Sequence, residues 1–206
     1  MYELLTTALQ QNNLQLTDQQ ISQLITYLDL LQKWNRVFNL TAITDPKEMI
    51  YLHLMDCLLV SPFITSQNCL DIGSGAGLPG IPLAITHPEQ HWTLLDKNIK
   101  KTQFLTQVVA ELSLNNINII HDRVENLQKQ KFDSITCRAF GTLALFANST
   151  RHLLNTEGRL IAMKGKYPSD ELNDLPADFK LDKISKLDIK GMQLERHIVV
   201  LKKAEE

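Results

Sequence analysis

The sequence has few cysteines, no long apolar run and almost no net charge. Cys57, Cys69 and Cys137 are odd in number and show no CxxC spacing, which argues against a disulfide framework and favours a reducing compartment. No apolar run approaches the roughly 20 residues of a membrane-spanning helix. The first residues also lack the basic and apolar segments of a secretion signal. We therefore expect a cytoplasmic protein without a membrane partner.

Neither the net charge nor the spacing of the histidines points to a particular ligand. A formal net charge of -2 gives no global basic field, so a nucleic-acid partner would have to meet a local patch. The six histidines show no metal-ligand spacing, and no metal site is predicted. His53 and Asp56 can share a helix face, where a hydrogen-bonded pair is the expected arrangement.

Hydrophobic residues are plentiful, at 44% of the 206, and their spacing divides the chain into two parts. The first part is helical: the run from Thr17 to Phe38 keeps its apolar residues on one face, and Thr17 with Gln20 forms a capping box. Asp45 followed by Pro46 indicates another helix start. We predict a helical N-terminal extension over residues 1–65, packed on a domain over residues 66–206.

The second part alternates strand and helix patterns. The strand runs are NCLDI, HWTLLD, INIIH, FDSITCR and GRLIAMKG, with helical segments between most of them. This alternation is typical of an α/β fold with a parallel sheet and helices on both faces. The last two runs, KLDKISKLDI and LERHIVVLKK, flank Gly191 and predict an antiparallel hairpin at the sheet edge.

The glycine-rich segment LDIGSGAGLPGIPLAI, residues 70–85, is the densest chemical signal. A glycine turn after a first parallel strand brings bare backbone close to a ligand. Glycines 75, 77 and 80 fit the G-x-G-x-x-G of dinucleotide binding, whereas residues 71, 73, 75 and 77 fit the D-x-G-x-G-x-G turn of S-adenosylmethionine binding. Asp96 could accept from the ribose of either cofactor. The closing hairpin favours a methyltransferase, because a dinucleotide fold continues with parallel units.

Six segments in order resemble the ribosomal RNA small-subunit methyltransferase G family, also called glucose-inhibited division protein B. They are KWNRVFNLTAITDP at 33–46, HLMDC at 53–57, DIGSGAGLPGIPLAI at 71–85, CRAF at 137–140, MKG at 163–165 and ERHIVV at 195–200. Cys57 stands where the family usually has serine. The resemblance covers nearly the whole chain.

The resemblance implies a class I, Rossmann-like methyltransferase with a seven-stranded, mostly parallel sheet. It implies methyl transfer from S-adenosylmethionine to N7 of a guanosine, with 16S ribosomal RNA or the small ribosomal subunit as partner. We expect the chain to work as a monomer. The predicted cofactor-binding residues, drawn from the glycine turn, the strand ends and the family pattern, are Gly73, Gly75, Gly77, Leu78, Asp96, Val124, Glu125 and Arg138.

The implied reaction needs no acid or base from the side chains. Guanine N7 has a free lone pair and no proton, so no general base is required and no catalytic residue is predicted. Phe140 is expected to stack on the guanine, and Lys164 and Arg196 to hold RNA phosphates. Because side chains alternate along a strand, Cys137 and Arg138 should point opposite ways, and we expect Arg138 to face the cofactor.

Two other functions remain open at this point. A nicotinamide-dependent oxidoreductase would use the same glycine turn and would be stabilised by NAD rather than by S-adenosylmethionine. A non-catalytic RNA-binding module would keep the fold without turnover, although the intact cofactor turn argues against it.

Overall fold

The computed structural model describes residues 1–128 and 130–204, and its first part is helical. Helices α1 (Tyr2–Gln11) and α2 (Asp18–Phe38) are followed by α3 (Pro46–Met49), a π-helical segment (Ile50–Met55) and α4 (Asp56–Leu58). Thr17 and Gln20 exchange both hydrogen bonds of the capping box, and the Asp45 side chain accepts from the Glu48 backbone. Both predicted helix starts are confirmed.

The second part contains one seven-stranded sheet. The strands are β1 (Asn68–Ile72), β2 (His91–Asp96), β3 (Ile117–His121), β4 (Phe132–Arg138), β5 (Leu154–Lys164), β6 (Phe179–Leu187) and β7 (Arg196–Lys203). Their order is β3-β2-β1-β4-β5-β7-β6. Strands β1 to β5 are parallel, whereas β7 runs antiparallel to both β5 and β6. The predicted sheet and its closing hairpin are confirmed.

Helices cover both faces of the sheet, as buried parallel strands require. The α-helices of this part are α5 (Gly80–Thr86), α6 (Ile99–Leu112), α7 (Leu143–Thr150) and α8 (Ser169–Asn173), and a 3-10 helix spans Val124–Asn126. Cys69 of β1 lies in an apolar cluster with residues of α1, α2, α5 and α6. Its neighbour Leu70 lies in a second cluster with α7 residues such as Phe146. Helices α1 and α2 therefore contribute to the same core as α5 and α6.

Two predicted boundaries differ from the structure. Strand β5 begins at Leu154 rather than Gly158, because Leu154 already pairs with Phe132 before an irregularity in the register with β4. The run TLALFANSTRHLL, residues 142–154, predicts a longer helix than α7, which ends at Thr150, where the chain turns and the Leu153 amide donates to the Thr150 carbonyl. All three cysteines are buried and free. Within residues 1–128 and 130–204, no helix has the length and apolar character to cross a bilayer.

Candidate active site at the carboxyl edge of the sheet

Two neighbouring cavities lie where the strand order reverses between β1 and β4. In open parallel sheets this crevice, outside the carboxyl ends of the strands, is where ligands bind. The turn cavity, of about 330 Å³, is lined by Gly73, Asp96, Val124 and Glu125 among others. The basic cavity, of about 480 Å³, is lined by Asp56, Arg138, Lys164 and Arg196 among others. Ala139 and Phe140 line both cavities and separate them.

The glycine turn is organised by Asp71 at the end of β1. Its fully buried carboxylate accepts from the Gly80 amide at 3.1 Å and from the Thr136 hydroxyl at 3.4 Å. Burial raises the pKa of Asp71 to about 7, although the hydrogen bond from Gly80 favours the ionised form. Asp71 therefore fixes the conformation of the turn through buried hydrogen bonds and does not line the turn cavity.

Asp96 at the end of β2 holds the other side of the turn. Its Oδ2 accepts from the Gly75 amide at 2.9 Å and its Oδ1 from the Asn98 amide at 2.8 Å, while Lys101 Nζ lies 3.8 Å away. A carboxylate offers about four lone-pair sites. Asp96 can therefore accept further hydroxyl donors from a ligand in the turn cavity.

The predicted cofactor-binding residues fall into three places. Gly73, Asp96, Val124 and Glu125 lie together in the turn cavity. Arg138 lies instead in the basic cavity, across Phe140 from the turn.

The other three predicted cofactor-binding residues, Gly75, Gly77 and Leu78, form the body of the turn and are not among the residues lining that cavity. A Cβ on Gly77, at φ +90, would collide with Ile81, so close packing and backbone conformation both require glycine there. A Cβ on Gly73 would lie 3.2 Å from the Phe140 ring, at the mouth of the cavity.

A single buried carboxylate joins two arginines in the basic cavity. Asp56, at 2% exposure, accepts from Arg196 Nε at 2.9 Å and lies 3.5 Å from Arg138 Nη1. Arg138 also donates to the Leu52 carbonyl at 3.0 Å. Burial raises the pKa of Asp56, and the two guanidinium groups oppose that rise. Two cations share one anion here, so the trio carries net positive charge.

The predicted pairing of His53 with Asp56 is wrong. His53 Nε2 lies 3.1 Å from the Thr41 hydroxyl instead, and Asp56 is engaged by the two arginines. Residues three apart share a face in an α-helix, but the π-helical segment over Ile50–Met55 changes that spacing. Burial lowers the pKa of His53 to about 4, so this ring is neutral at physiological pH.

The alternation predicted for the end of β4 is found. Cys137 belongs to the apolar cluster on the α7 side, whereas Arg138 reaches the opposite side and Asp56. Burial raises the pKa of the Cys137 thiol well above its usual range. Cys137 is therefore a protonated thiol and is unsuited to act as a nucleophile.

Phe140 and Lys164 complete the basic cavity. The Phe140 ring is half-buried and lies edge-on to Phe146, with ring centroids 6.3 Å apart. Lys164 Nζ donates to the Gly141 carbonyl at 2.7 Å and pairs with Glu171 at 2.7 Å. Among the predicted substrate-side residues, Lys164 thus already has an anionic partner, whereas Arg196 shares Asp56 with Arg138.

The sequence did not predict that Asp56, Thr41 and Leu52 would line the basic cavity, and it placed Asp56 only in a pair with His53. Asp56 had one available signal, its place in the HLMDC segment. Arg138 and Arg196 were both predicted as site residues, but no local pattern pairs them with Asp56, because Arg196 is 140 residues away along the chain.

Comparison with solved structures identifies the fold. The chain superposes on a protein described as MtNAS in complex with S-adenosylmethionine, with TM-score 0.60, 18% identity and coverage of 87% of this chain and 76% of that one. A methyltransferase from Aquifex aeolicus gives TM-score 0.58 at 14% identity, covering 76% and 93%. The chain therefore has the fold of class I S-adenosylmethionine-dependent methyltransferases.

Sequence comparison gives the family. The family model described as rRNA small subunit methyltransferase G matches residues 20–199. The ribosomal RNA small subunit methyltransferase G of Stutzerimonas stutzeri is 52% identical over 191 residues, covering 91% of this chain and 89% of that protein. Its counterpart from Pseudomonas putida F1 is 50% identical over 204 residues, covering 98% and 94%. The chain belongs to the rRNA small subunit methyltransferase G family.

Family membership confirms the resemblance seen in the sequence and decides between the two readings of the glycine turn. The turn is that of a methyltransferase, and the oxidoreductase alternative is set aside. The substrate class is ribosomal RNA of the small subunit.

Proposed function

We propose that this protein transfers a methyl group from S-adenosylmethionine to N7 of a guanosine in 16S ribosomal RNA. The observation that supports this most directly is that the turn cavity and the basic cavity adjoin across Phe140. A cofactor in one and a nucleotide in the other would meet at that residue. Family membership supplies the reaction class.

The residues of the turn cavity fit S-adenosylmethionine. Asp96 has lone pairs free for the ribose hydroxyls, and Val124 offers a buried apolar contact for the adenine. Gly73 has no side chain, so the backbone of the turn can approach the ligand closely. When bound, S-adenosylmethionine supplies an electrophilic methyl group. Glu125 and Arg138 complete the proposed set, Arg138 from the side of the basic cavity.

The residues of the basic cavity suit an acceptor that needs no deprotonation. His53 has its pKa lowered to about 4 by burial, and the thiol of Cys137 is held protonated. Asp56 is occupied by two guanidinium groups. Guanine N7 requires none of these as a base, because its lone pair is already free. Alignment of two reactants can supply of order 7 to 11 kcal/mol of acceleration.

Phe140 and the cations would provide that alignment. The half-buried Phe140 ring can stack on the guanine between the two cavities. Arg196 and Lys164 lie at the same cavity and can hold RNA phosphates while the base enters.

The test is methyl transfer from labelled S-adenosylmethionine into naked 16S ribosomal RNA, assembly intermediates and complete small subunits. We expect label in one guanosine, released by the chemical cleavage that is selective for N7-methylguanosine. Label in another base or at another guanine atom would contradict the proposal. Ribosomes from a deletion strain should lose the cleavage signal, and its persistence would also contradict it. An inactive protein that nonetheless binds the RNA would favour the non-catalytic alternative.

We also propose that the protein acts as a monomer in the cytoplasm. Its three free, buried cysteines suit a reducing compartment, and its proposed substrate is assembled there. Light scattering coupled to size exclusion at the assay concentration should give the mass of one chain, 23.5 kDa. A stable dimer mass would refute the monomer.

A further inference from the structure

Helix α2 belongs to the predicted N-terminal extension, yet its side chains close the ends of two core helices. Gln20 Nε2 donates to the carbonyls of Ile85 and Thr86, at 3.3 and 3.1 Å, where α5 ends. Gln23 Nε2 donates to the Leu112 carbonyl at 3.1 Å, where α6 ends. The last carbonyls of a helix have no partner within it, so such donors stabilise its end. Helix α2 therefore braces the helices that follow β1 and β2.

A third contact of α2 reaches the glycine turn itself. Tyr27 is fully buried, and its hydroxyl donates to the Ala76 carbonyl at 2.7 Å. The front of the turn is held from the sheet, since the Ser74 amide donates to the Leu95 carbonyl at 3.1 Å. The back of the turn is thus held by a side chain from outside the predicted methyltransferase domain.

We propose that Tyr27 is a positioning residue for the cofactor, and that the N-terminal extension is thereby part of the cofactor site. This rests on the proposed function, because it takes the turn cavity as the site of S-adenosylmethionine. Gly73, which lines that cavity, and Ala76, which Tyr27 holds, belong to the same tight turn. A shift at Ala76 is therefore transmitted over three residues to the cofactor.

The physical reason lies in the burial of the Ala76 carbonyl. Ala76 is only 7% exposed, so loss of the Tyr27 hydroxyl leaves a polar group without a partner and without ready access to water. Gly73, Gly75 and Gly77 give the turn the freedom to move until that carbonyl is satisfied. Cofactor binding must then restore the original turn, and the cost is seen as weaker affinity.

The experiment compares Tyr27→Phe with a matched control, Tyr51→Phe. Tyr51 is also buried, and its hydroxyl donates to Gln11 Oε1 at 2.9 Å, within the helical part and away from the turn. The probe is S-adenosylhomocysteine, measured by equilibrium binding calorimetry. We expect the Kd to rise about tenfold in Tyr27→Phe, as for loss of one buried hydrogen bond, and by less than about twofold in Tyr51→Phe.

Steady-state kinetics separate positioning from simple destabilisation. In Tyr27→Phe the KM for S-adenosylmethionine should rise by the same factor, while kcat and the KM for RNA at saturating cofactor stay unchanged. An unchanged Kd in folded Tyr27→Phe would overturn the inference. So would an equal loss of affinity in Tyr51→Phe, because that would show a general effect of loosening the helical part.

A second variant covers the case in which Tyr27→Phe does not fold. Gln20 is half-buried, and Gln20→Ala removes its hydrogen bonds to the end of α5 together with the capping box of α2, so Thr17→Ala, which loses only the capping box, is its control. We expect a smaller rise in Kd, of about threefold; an unchanged Kd would overturn the inference. Wild-type protein that fails to bind S-adenosylhomocysteine would overturn the cofactor assignment as well. Wild-type protein that binds it but methylates no RNA would overturn the proposed function alone.

Discussion

The free energy of unfolding should fall measurably as the pH rises, because the buried Asp71 ionises. Burial raises the pKa of its carboxyl group from 3.8 to about 7. Between those values the native state binds more protons than the unfolded state, so stability falls with increasing pH. The favourable contribution of the neutral form is complete below about pH 4 and is lost by the time the pH passes about 7. Since one pKa unit corresponds to about 1.4 kcal/mol, ionising Asp71 in the native protein costs roughly 4 kcal/mol.

Asp71→Asn tests this reasoning because it keeps the shape and removes the titration. Its amide oxygen can still accept from the Gly80 backbone. In urea unfolding we measure the free energy of unfolding of both proteins. We expect the difference, variant minus wild type, to increase by roughly 3 kcal/mol between about pH 5 and about pH 9. The control is Asn173→Ala, which lies at an exposed position and removes no ionisable group, so the difference from wild type should not change with pH. A constant difference for Asp71→Asn, or one that shrinks as the pH rises, would refute the reasoning.

Three further outcomes follow from the site. Gly77→Ala should lower the free energy of unfolding by about 2 to 4 kcal/mol in urea titration, because the methyl group meets Ile81 at positive φ; an unchanged midpoint would contradict this. Phe140→Ala should lower kcat/KM for RNA about tenfold to a hundredfold while S-adenosylhomocysteine still binds, and a normal rate would exclude stacking. Arg196→Gln should reduce the slope of log RNA affinity against log salt by about 0.7 to 0.9. The control is Arg159→Gln, because Arg159 is ion-paired with Asp182 and its loss should leave the slope unchanged. Equal slopes for the two variants would count against a phosphate contact at Arg196.

The fold could be predicted because its signals are local. Two helix starts were predicted from short motifs and are found in the structure: the capping box of Thr17 and Gln20, and Asp45 followed by Pro46. The β1 to β4 runs match to the residue, because each is short, apolar and followed by turn-forming residues. The start of β5 could not be predicted, since it depends on a pairing of Leu154 with Phe132 across the sheet.

Residues on both sides of the candidate site could be predicted, but the contacts within the basic cavity could not. Gly73 follows β1 and Asp96 ends β2, and neighbouring parallel strands bring such residues to one cavity. The trio in the basic cavity joins residues 82 and 140 positions apart, and no local pattern records that distance. The π-helical segment also had no signal, and it moved His53 away from Asp56. Tyr27 lies on the buried face of α2, so its position in the sequence indicates core packing and not the hydrogen bond to Ala76.

The position of β7 between β5 and β6 ties the chemistry of the site to strand register. His197 pairs with Lys164, and Val199 pairs with Ala162, so Arg196 meets Asp56 only in this alignment. A slip of one residue would send every β7 side chain to the opposite face and would withdraw the guanidinium from the basic cavity. The apolar pairing between β5 and β7 therefore decides where the guanidinium of Arg196, a proposed phosphate contact, lies.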